Sequence, residues 1–379
     1  MASAAQDGRF SFIAEWYDPN AALTRRYQFL FYPKDTTIEM YDIKNRRLFL
    51  KRSACPSVHL EDLYVGSTVN IHSRQLTFVD YADDFTRRAL TSVKEKSLCI
   101  IKPDAISKFG PIIDAIYDGG FLVVNTKMTR LSRSDAEECY AEHVGKPFYD
   151  NLVRFMSSGP CIGLELMADN GITAWRALLG PTDSSMARSD APHSIRARFG
   201  TDGTKNACHG SDSVQSADRE TNFFFGPSAR KPNTATFQDC TCCIIKPTAV
   251  KEGKAGKIMT TITNAGFQVT ALEMFHVEKA NSEEFFEVYK GVVAEYMDMV
   301  TELTSGLCYV LEITGKGEET PQAFREFVGP ADPEIARQLR PNTLRALFGS
   351  DKIRNAVHCT DLPTDGLMEV EYFFKILSD

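Results

Sequence analysis

Much of the chain is written twice. Segments 94–225 and 240–375 match in order: Ile100-Ile101-Lys102-Pro103 returns as Ile244-Ile245-Lys246-Pro247, Gly119-Gly120-Phe121 as Ala265-Gly266-Phe267, Ser158-Gly159 as Ser305-Gly306, and Gly180-Pro181 as Gly329-Pro330. Solenoid repeats recur every ~20–50 residues, so a period this long makes each copy a domain with its own core. Both copies must therefore adopt one fold, and chemistry legible in one can be checked against the other. Between them the segment 226–239, opening Gly226-Pro227-Ser228-Ala229-Arg230-Lys231-Pro232-Asn233-Thr234, reads as a linker from its Pro, Gly and polar content.

Within the first copy, residues 97–101 read as a short apolar strand ended by Pro103, which lacks a ladder donor. Pro111 suits the first turn of a helix running to about residue 118, and Gly119-Gly120 stops it. Residues 121–128 and 161–167 read as further strands. Ser132 or Ser134 opens the helix between them, with Ser134 and Glu137 offering a capping box. This alternation with short connections predicts a compact α/β sandwich of split βαβ type. Residues 1–93 differ. Fourteen aromatics, little helical periodicity, strand-like runs at 27–32 and 73–81 and a turn at Pro33-Lys34-Asp35 predict a small, mostly-β domain.

A length of 379 residues allows two or three domains at ~100–200 each. The net charge of −7 argues against a general nucleic-acid binder. No stretch approaches the ~20 continuous apolar residues of a membrane span, and Met1-Ala2-Ser3-Ala4-Ala5-Gln6-Asp7 lacks the basic start and apolar core of a secretory signal. Ten scattered cysteines point to a reducing, intracellular compartment rather than a disulfide scaffold. Cys240, Cys242 and Cys243 lead into a strand and read as core, because Cys-x-Cys-Cys without a second ligand pair is a weak metal pattern. Residues 1–93 carry twelve Lys/Arg against eleven Asp/Glu, yet Lys44, Arg46, Arg47, Lys51 and Arg52 cluster. A solvated hairpin face and a site for an acidic partner are both open readings of that cluster.

The chemistry concentrates at two histidines. His209 lies in Asn206-Ala207-Cys208-His209-Gly210-Ser211-Asp212-Ser213, and His358 in Asn355-Ala356-Val357-His358-Cys359-Thr360-Asp361. Each follows an Arg-Ala-x-Phe-Gly run, Arg196 to Gly200 or Arg345 to Gly349, with 13 residues from arginine to histidine (209 − 196; 358 − 345). Arg176 or Arg325 stands 20 residues earlier still. A neutral imidazole near fixed cations is what a phosphoryl-accepting nucleophile needs, since the cations screen the incoming charge. The chain has no G-x-x-x-x-G-K-[ST] phosphate loop: Gly253-Lys254-Ala255-Gly256-Lys257 has the wrong spacing and runs into Ile258. It also lacks the His-Arg-Asp and Asp-Phe-Gly signatures of protein kinases. Phosphates must then be held by side chains, for which Lys102, Arg176 and Arg196 are suited.

With these motifs, above all His209-Gly210-Ser211-Asp212, both repeats resemble the nucleoside diphosphate kinases over nearly their full length. The resemblance implies an α+β chain with two tandem ferredoxin-like βαββαβ domains, at 94–225 and 240–379. It also implies ping-pong transfer of the γ-phosphate of ATP, through a phosphohistidine, to a nucleoside diphosphate, with Mg2+ on the phosphates and no metal ligand from the protein. On the matching positions His209 is the implied nucleophile. Lys102 and Tyr140 are implied at the γ-phosphate, Phe148 against the base, Arg176, Thr182 and Arg196 on the phosphates, and Asn206 at the sugar. Glu220 is implied to accept a ring N–H and fix the tautomer, with Ser211 beside the phosphohistidine.

Repeat two keeps Lys246, Arg325, Arg345, Asn355, His358 and Glu369, but Thr248 follows its Lys-Pro where Asp104 follows the first. Ala331 stands for Thr182, Cys359 for the glycine after the histidine, and the Pro147-Phe148 pair has no counterpart across 286–296. A lost charge-assisted hydrogen bond typically costs about 1.5–3 kcal/mol, so weak or absent turnover is expected there.

Residues 4–93 look like the axonemal module called DM-ten, from Phe12-Ile13-Ala14-Glu15-Trp16-Tyr17-Asp18-Pro19 through Asp80-Tyr81. That likeness implies microtubules, tubulin and axonemal proteins as partners, and a cytoplasmic, cytoskeletal site in the ciliary or flagellar axoneme or at a microtubule-organising centre such as the centrosome. Two functions remain, an axonemal nucleoside diphosphate kinase and a structural microtubule-associated protein whose kinase folds serve as docking shapes. Neither needs nucleic acid or membrane. Full duplication with a linker able to fold back, at ~5–6 Å × √n for a flexible chain, leads us to expect a monomer whose repeats pair as an intramolecular pseudo-dimer.

Overall fold

The computed structural model describes residues 8–90, 94–229 and 231–378. The expectation drawn from the first seven residues, the last three residues of the first domain and Arg230 of the linker lie outside the described residues. Contacts divide the chain into two units: residues 1–93 with 277–306, and residues 94–276 with 307–379. Among the described residues no helix is long and apolar enough to cross a membrane.

In the first unit six antiparallel strands follow from alternating apolar residues and tight turns. They are β1 (Phe10–Asp18), β2 (Leu23–Tyr32), β3 (Thr37–Asp42), β4 (Arg47–Ala54), β5 (Thr68–Ile71) and β6 (Arg74–Tyr81), in the order β4-β3-β2-β1-β6-β5. Phe12, Phe29 and Phe78 meet at ring separations of 5.1–6.4 Å in its core. His72 and Ser73 both take left-handed backbone (φ 47° and 64°), the two-residue turn whose twist matches the flanking strands. The segment 277–306, repeat two by sequence, belongs to this unit by contact. Gln75 Nε2 donates to the carbonyls of Val277 (3.0 Å) and Thr304 (3.3 Å), and the Lys279 amide donates to Gln75 Oε1 (3.2 Å).

The second unit is one eight-stranded sheet made of two ferredoxin-like halves. β7 (Lys94–Ile101), β8 (Leu122–Thr129), β9 (Cys161–Asp169) and β10 (Cys208–Gly210) form one; β11 (Thr241–Ile245), β12 (Gln268–His276), β13 (Leu307–Thr314) and β14 (Val357–Cys359) form the other. Their order is β10-β7-β9-β8-β12-β13-β11-β14, so the halves join edge to edge at β8 and β12, where Lys127 faces Glu273. The pairing of repeats expected from the duplication is thus present within one unit. Lys127 Nζ donates to Glu273 Oε1 (3.0 Å) and Ser378 Oγ (3.2 Å), while the Tyr117 and Tyr309 hydroxyls meet at 3.0 Å. One apolar core, holding Ile112, Ile116, Ile258 and Ile262 among others, runs through both halves.

Two local expectations are corrected. The capping box opening helix Arg133–Cys139 pairs Ser132 with Asp135, through amide contacts of 2.9 and 3.0 Å, rather than Ser134 with Glu137. An N-cap oxygen reaches the amide two or three positions on, and Ser132 is the residue with extended backbone. The linker is not a free coil but a bound strap. Thr129 Oγ1 donates to the Pro232 carbonyl (2.7 Å), Asn233 Nδ2 to the Phe374 carbonyl (2.7 Å), and the Thr236 and Phe237 amides to the buried Glu312 carboxylate (2.8 and 2.6 Å).

Candidate active site

Both histidines are presented by the same backbone device. Ala207, just before β10, has φ 66°, and the Cys208 amide donates to the Asn206 carbonyl two residues back (2.8 Å). That is a γ-turn with a left-handed centre, a costly shape for a residue with a Cβ. The Lys102 amide braces it by donating to the Ala207 carbonyl (2.8 Å), and the Ala207 amide donates to Asp104 Oδ2 (3.1 Å). Repeat two copies the turn: Ala356 has φ 68°, Val357 N–H reaches Asn355 O (2.9 Å), and Lys246 N–H reaches Ala356 O (2.9 Å). The same strained backbone stands beside each histidine, a feature that clusters at functional sites.

His209 lies opposite Ile100 in the β10–β7 register, so it shares the face on which Leu98, Ile100, Tyr140 and Phe224 pack. Its Nε2–H donates to Glu220 Oε2 (3.0 Å), which also accepts the Ser211 hydroxyl (2.7 Å). The Leu98 amide fixes Ser211 Oγ at 3.0 Å. Glu220 projects from helix Val214–Phe225 and is buried. Burial raises its carboxyl, but the hydrogen bond and charge of His209, then Ser211 and Arg219, prevail and leave it below the ordinary value. A carboxylate on Nε2 leaves the Nδ1 lone pair free to attack. Tyr140 stands edge-on to the imidazole, ring centres 5.7 Å apart.

Three cations lie near one another: the charge of Arg196 acts on Lys102, and that of Arg176 on Arg196. Lys102 follows β7, and its buried Nζ donates to Asn206 Oδ1 (2.7 Å) and the Thr204 carbonyl (3.2 Å). Burial first, then the charge of Arg196, lower Lys102 to about 8 against the pull of Asp104. Arg196 donates to the carbonyls of Gly180 (3.0 Å) and Cys208 (3.2 Å), one residue from His209, and burial lowers its pKa, with Arg176 adding to the effect. Arg176, in the last turn of helix Gly171–Leu179, is exposed, as is Thr182. Asn206 is buried with its carboxamide committed to Lys102 and to the carbonyls of Thr182 (2.9 Å) and Gly203 (3.1 Å). In this arrangement it braces the lysine.

Phe148, 45% exposed, offers a ring face at the start of helix Tyr149–Met156. Sequence reasoning passed over His143 and Lys146. The His143 ring bridges Tyr140 (6.1 Å) and Phe148 (5.6 Å), and Lys146 Nζ lies 3.0 Å from His143 Nδ1 and 5.9 Å from the Phe148 ring centre. The adjacency Lys146-Pro147-Phe148 was the available signal. Asp104 was also missed as a brace.

Repeat two assembles the same frame with altered chemistry. His358 Nε2–H donates to Glu369 Oε2 (3.0 Å), and Thr360 takes the place of Ser211 (2.8 Å to the same oxygen). Lys246 Nζ donates to the Ile353 carbonyl (2.9 Å), but Asn355 Oδ1 is buried without a partner where Asn206 holds its lysine. Arg345 keeps its carbonyl bonds to Gly329 (3.0 Å) and Val357 (3.2 Å), whereas Arg325 is paired with Asp361 Oδ1 (2.7 Å). The His358 side chain is 7% exposed against 15% for His209, so its ring is less open to a phosphate. In sequence, Glu295 precedes helix Tyr296–Leu303 as Phe148 precedes helix Tyr149–Met156. Cys359 is a repacking and not a loss. A Cβ at Gly210 would lie 2.5 Å from Trp175 Nε1, while in repeat two the smaller Phe324 takes the tryptophan's position.

Residues 95–229 and 239–377 match the family model described as nucleoside diphosphate kinase. Residues 4–92 match one described as the nucleoside diphosphate kinase 7 N-terminal PH domain, which replaces the DM-ten likeness. Over 381 aligned residues the chain is 55% identical to "Nucleoside diphosphate kinase homolog 7" of Mus musculus, covering all of this chain and 96% of that protein. It is 43% identical over 138 residues to "Nucleoside diphosphate kinase homolog 5" of Danio rerio, covering 36% of this chain and 64% of that protein. The solved nucleoside diphosphate kinase of Aquifex aeolicus aligns at 46% identity and TM-score 0.35, covering 35% of this chain and 96% of its own.

Proposed function

This chain belongs to the nucleoside diphosphate kinase family, and we propose that its first repeat transfers the γ-phosphate of magnesium–ATP to nucleoside diphosphates through His209. The observation that carries the reading is the imidazole tied at Nε2 to a buried carboxylate 3.0 Å away, on a segment whose preceding residues bind two cations, Asn206 holding Lys102 and the Cys208 carbonyl accepting from Arg196. Nδ1 attacks the γ-phosphorus as the bond to the ADP oxygen breaks, and ADP leaves with that electron pair. Glu220 stabilises the ring's positive charge while Nε2 keeps its proton. A nucleoside diphosphate then attacks the phosphohistidine with its terminal phosphate oxygen, and the P–N bond breaks to restore the neutral ring. Lys102, Arg176 and Arg196 hold charge that spreads over the moving phosphoryl oxygens. Among the described residues no cluster of three His, Cys, Asp or Glu suits a metal ion. Magnesium is proposed as part of the substrate, held by its phosphate oxygens.

Repeat two is proposed as weak or inactive, on the covered His358, the occupied Arg325 and the missing Pro-Phe pair across 286–296. Those losses also favour a second reading, a structural protein of ciliary doublets, axonemes or organising centres in which the kinase folds dock. Incubating the full chain with γ-labelled ATP and magnesium tests the first reading. We expect an acid-labile, base-stable phosphoprotein that a nucleoside diphosphate discharges, lost in His209→Ala and nearly unchanged in His358→Ala. Equal labelling of the two variants would reject the assignment. Microtubule co-pelleting of full-length protein tests the second, and absence from the pellet would remove it.

A further inference from the structure

The six-stranded sheet of the first unit has two open ends. β4 closes it on one side and β5 on the other, and no strand pairs with their outer edges among the described residues. Between these ends lies a cavity of about 320 Å³, with apolar walls from Met40, Phe49, Leu50 and Ile71. That volume falls within the roughly 300–1,000 Å³ of ordinary ligand pockets. Polar groups in and beneath it lack partners. Ser53 Oγ and Arg74 Nε are buried without an acceptor or donor, as is the hydroxyl of Tyr27, whose ring packs 4.5 Å from that of Phe49. Arg74 lies over the rings of Trp16 (5.2 Å) and Phe49 (5.3 Å), and among the described residues its one hydrogen bond reaches the His72 carbonyl. A guanidinium held between aromatic rings, without a carboxylate, at the mouth of an apolar cavity, is a receptor for an anion that carries an apolar neighbour.

The rim points the same way. Lys44, Arg46, Arg47 and Lys51 on and beside β4 make no ion pair among the described residues, whereas Arg52 is matched by Asp35 at 2.8 Å. Tyr41, Ile43, Leu48 and Phe49 of the same hairpin are 37–43% exposed. Lysine or arginine alone on an edge strand would suffice to repel other strands, but exposed apolar residues among them work against that purpose.

We propose that this edge binds an extended acidic segment of a partner protein. The segment adds to β4 through backbone hydrogen bonds, one apolar side chain enters the cavity, and a carboxylate pairs with Arg74. Acidic residues of the segment meet Arg47 and Lys51, both exposed on β4.

The full chain can be titrated by fluorescence anisotropy into a ten-residue peptide of alternating glutamate and isoleucine. Comparison probes are the lysine–isoleucine peptide, the acidic peptide interrupted by proline, and phosphatidylserine vesicles. We expect the acidic peptide to bind at least tenfold more tightly than the other two peptides, and less tightly as salt is raised. Arg74→Gln should weaken it at least tenfold, as should the exposed pair Arg47→Glu/Lys51→Glu, with phosphotransfer unchanged. In the unaltered protein, amide exchange of residues 47–54 should slow when the peptide is added. Equal affinity for acidic and basic peptides, no slowing in β4, or binding to vesicles alone would overturn the proposal.

Discussion

At the residue scale the site is set by a few groups held away from their ordinary states. Lys102 is the clearest, since burial and Arg196 lower it to about 8. Only its protonated form can hold a phosphate, and that form dominates below the shifted value. The kcat/KM for nucleotide, which reports the free enzyme, should fall as pH rises through about 8. In Lys102→Arg that alkaline limb should disappear, because guanidinium stays charged. A limb unmoved by this change would mean another group causes it. The motif residues themselves were legible, because His209, Glu220 and the arginines recur at fixed spacing in both copies, and Lys102 recurs within a repeated Ile-Ile-Lys-Pro run. What could not be read was their use. The left-handed Ala207 and Ala356, the carboxamide of Asn206 turned to its lysine, and Arg325 tied to Asp361 all depend on chain segments about 20–100 residues apart.

Elements bring the repeats to one architecture and also explain where they diverge. Gly210 lies against Trp175, and the copy that has cysteine at this point has phenylalanine opposite. Gly210→Cys alone should destabilise the protein by about 1–3 kcal/mol through overpacking. Adding Trp175→Phe should recover most of that loss, a coupling readable in a double-mutant cycle by urea denaturation. Additive effects would show that the two sites do not share space. The run Gly253-Lys254-Ala255-Gly256-Lys257, unfit to bind phosphate, has a different purpose. It opens helix Ala255–Asn264, which crosses helix Phe109–Asp118. A Cβ at Gly256 would sit 2.3 Å from the Asp114 amide, and one at Gly110 would sit 2.6 Å from Thr260 Oγ1. Gly256→Val should therefore force the helices apart and lower the unfolding free energy, measured by urea denaturation, by about 2 kcal/mol. Helix and strand placement was readable from punctuation and periodicity, whereas these two glycine contacts link residues 142 and 150 apart (256 − 114; 260 − 110) and carried no local signal.

At the scale of the whole second unit, the two halves share a sheet, a core and a strap, so neither has a surface of its own to unfold from. Lys127 and Glu273 join them where β8 meets β12, with side chains only 14% and 13% exposed. Burial raises the Glu273 carboxyl, and the charge and hydrogen bond of Lys127 offset part of that rise. Removing the lysine leaves a buried carboxylate unpaired, so Lys127→Ala should cost about 3 kcal/mol at neutral pH. An acid whose folded pKa lies above its unfolded value is stabilising when protonated, and that contribution is lost as pH rises through the folded pKa. The variant's deficit should then shrink at acid pH, where a protonated Glu273 needs no cation. If β8 and β12 met in this way only between separate chains, dilution would weaken the contact. Joined within one chain, the repeats should unfold in a single transition whose midpoint does not change with protein concentration. Sedimentation should likewise give the mass of one chain. A stable hexamer, or a midpoint that climbs with concentration, would place the pairing between molecules instead.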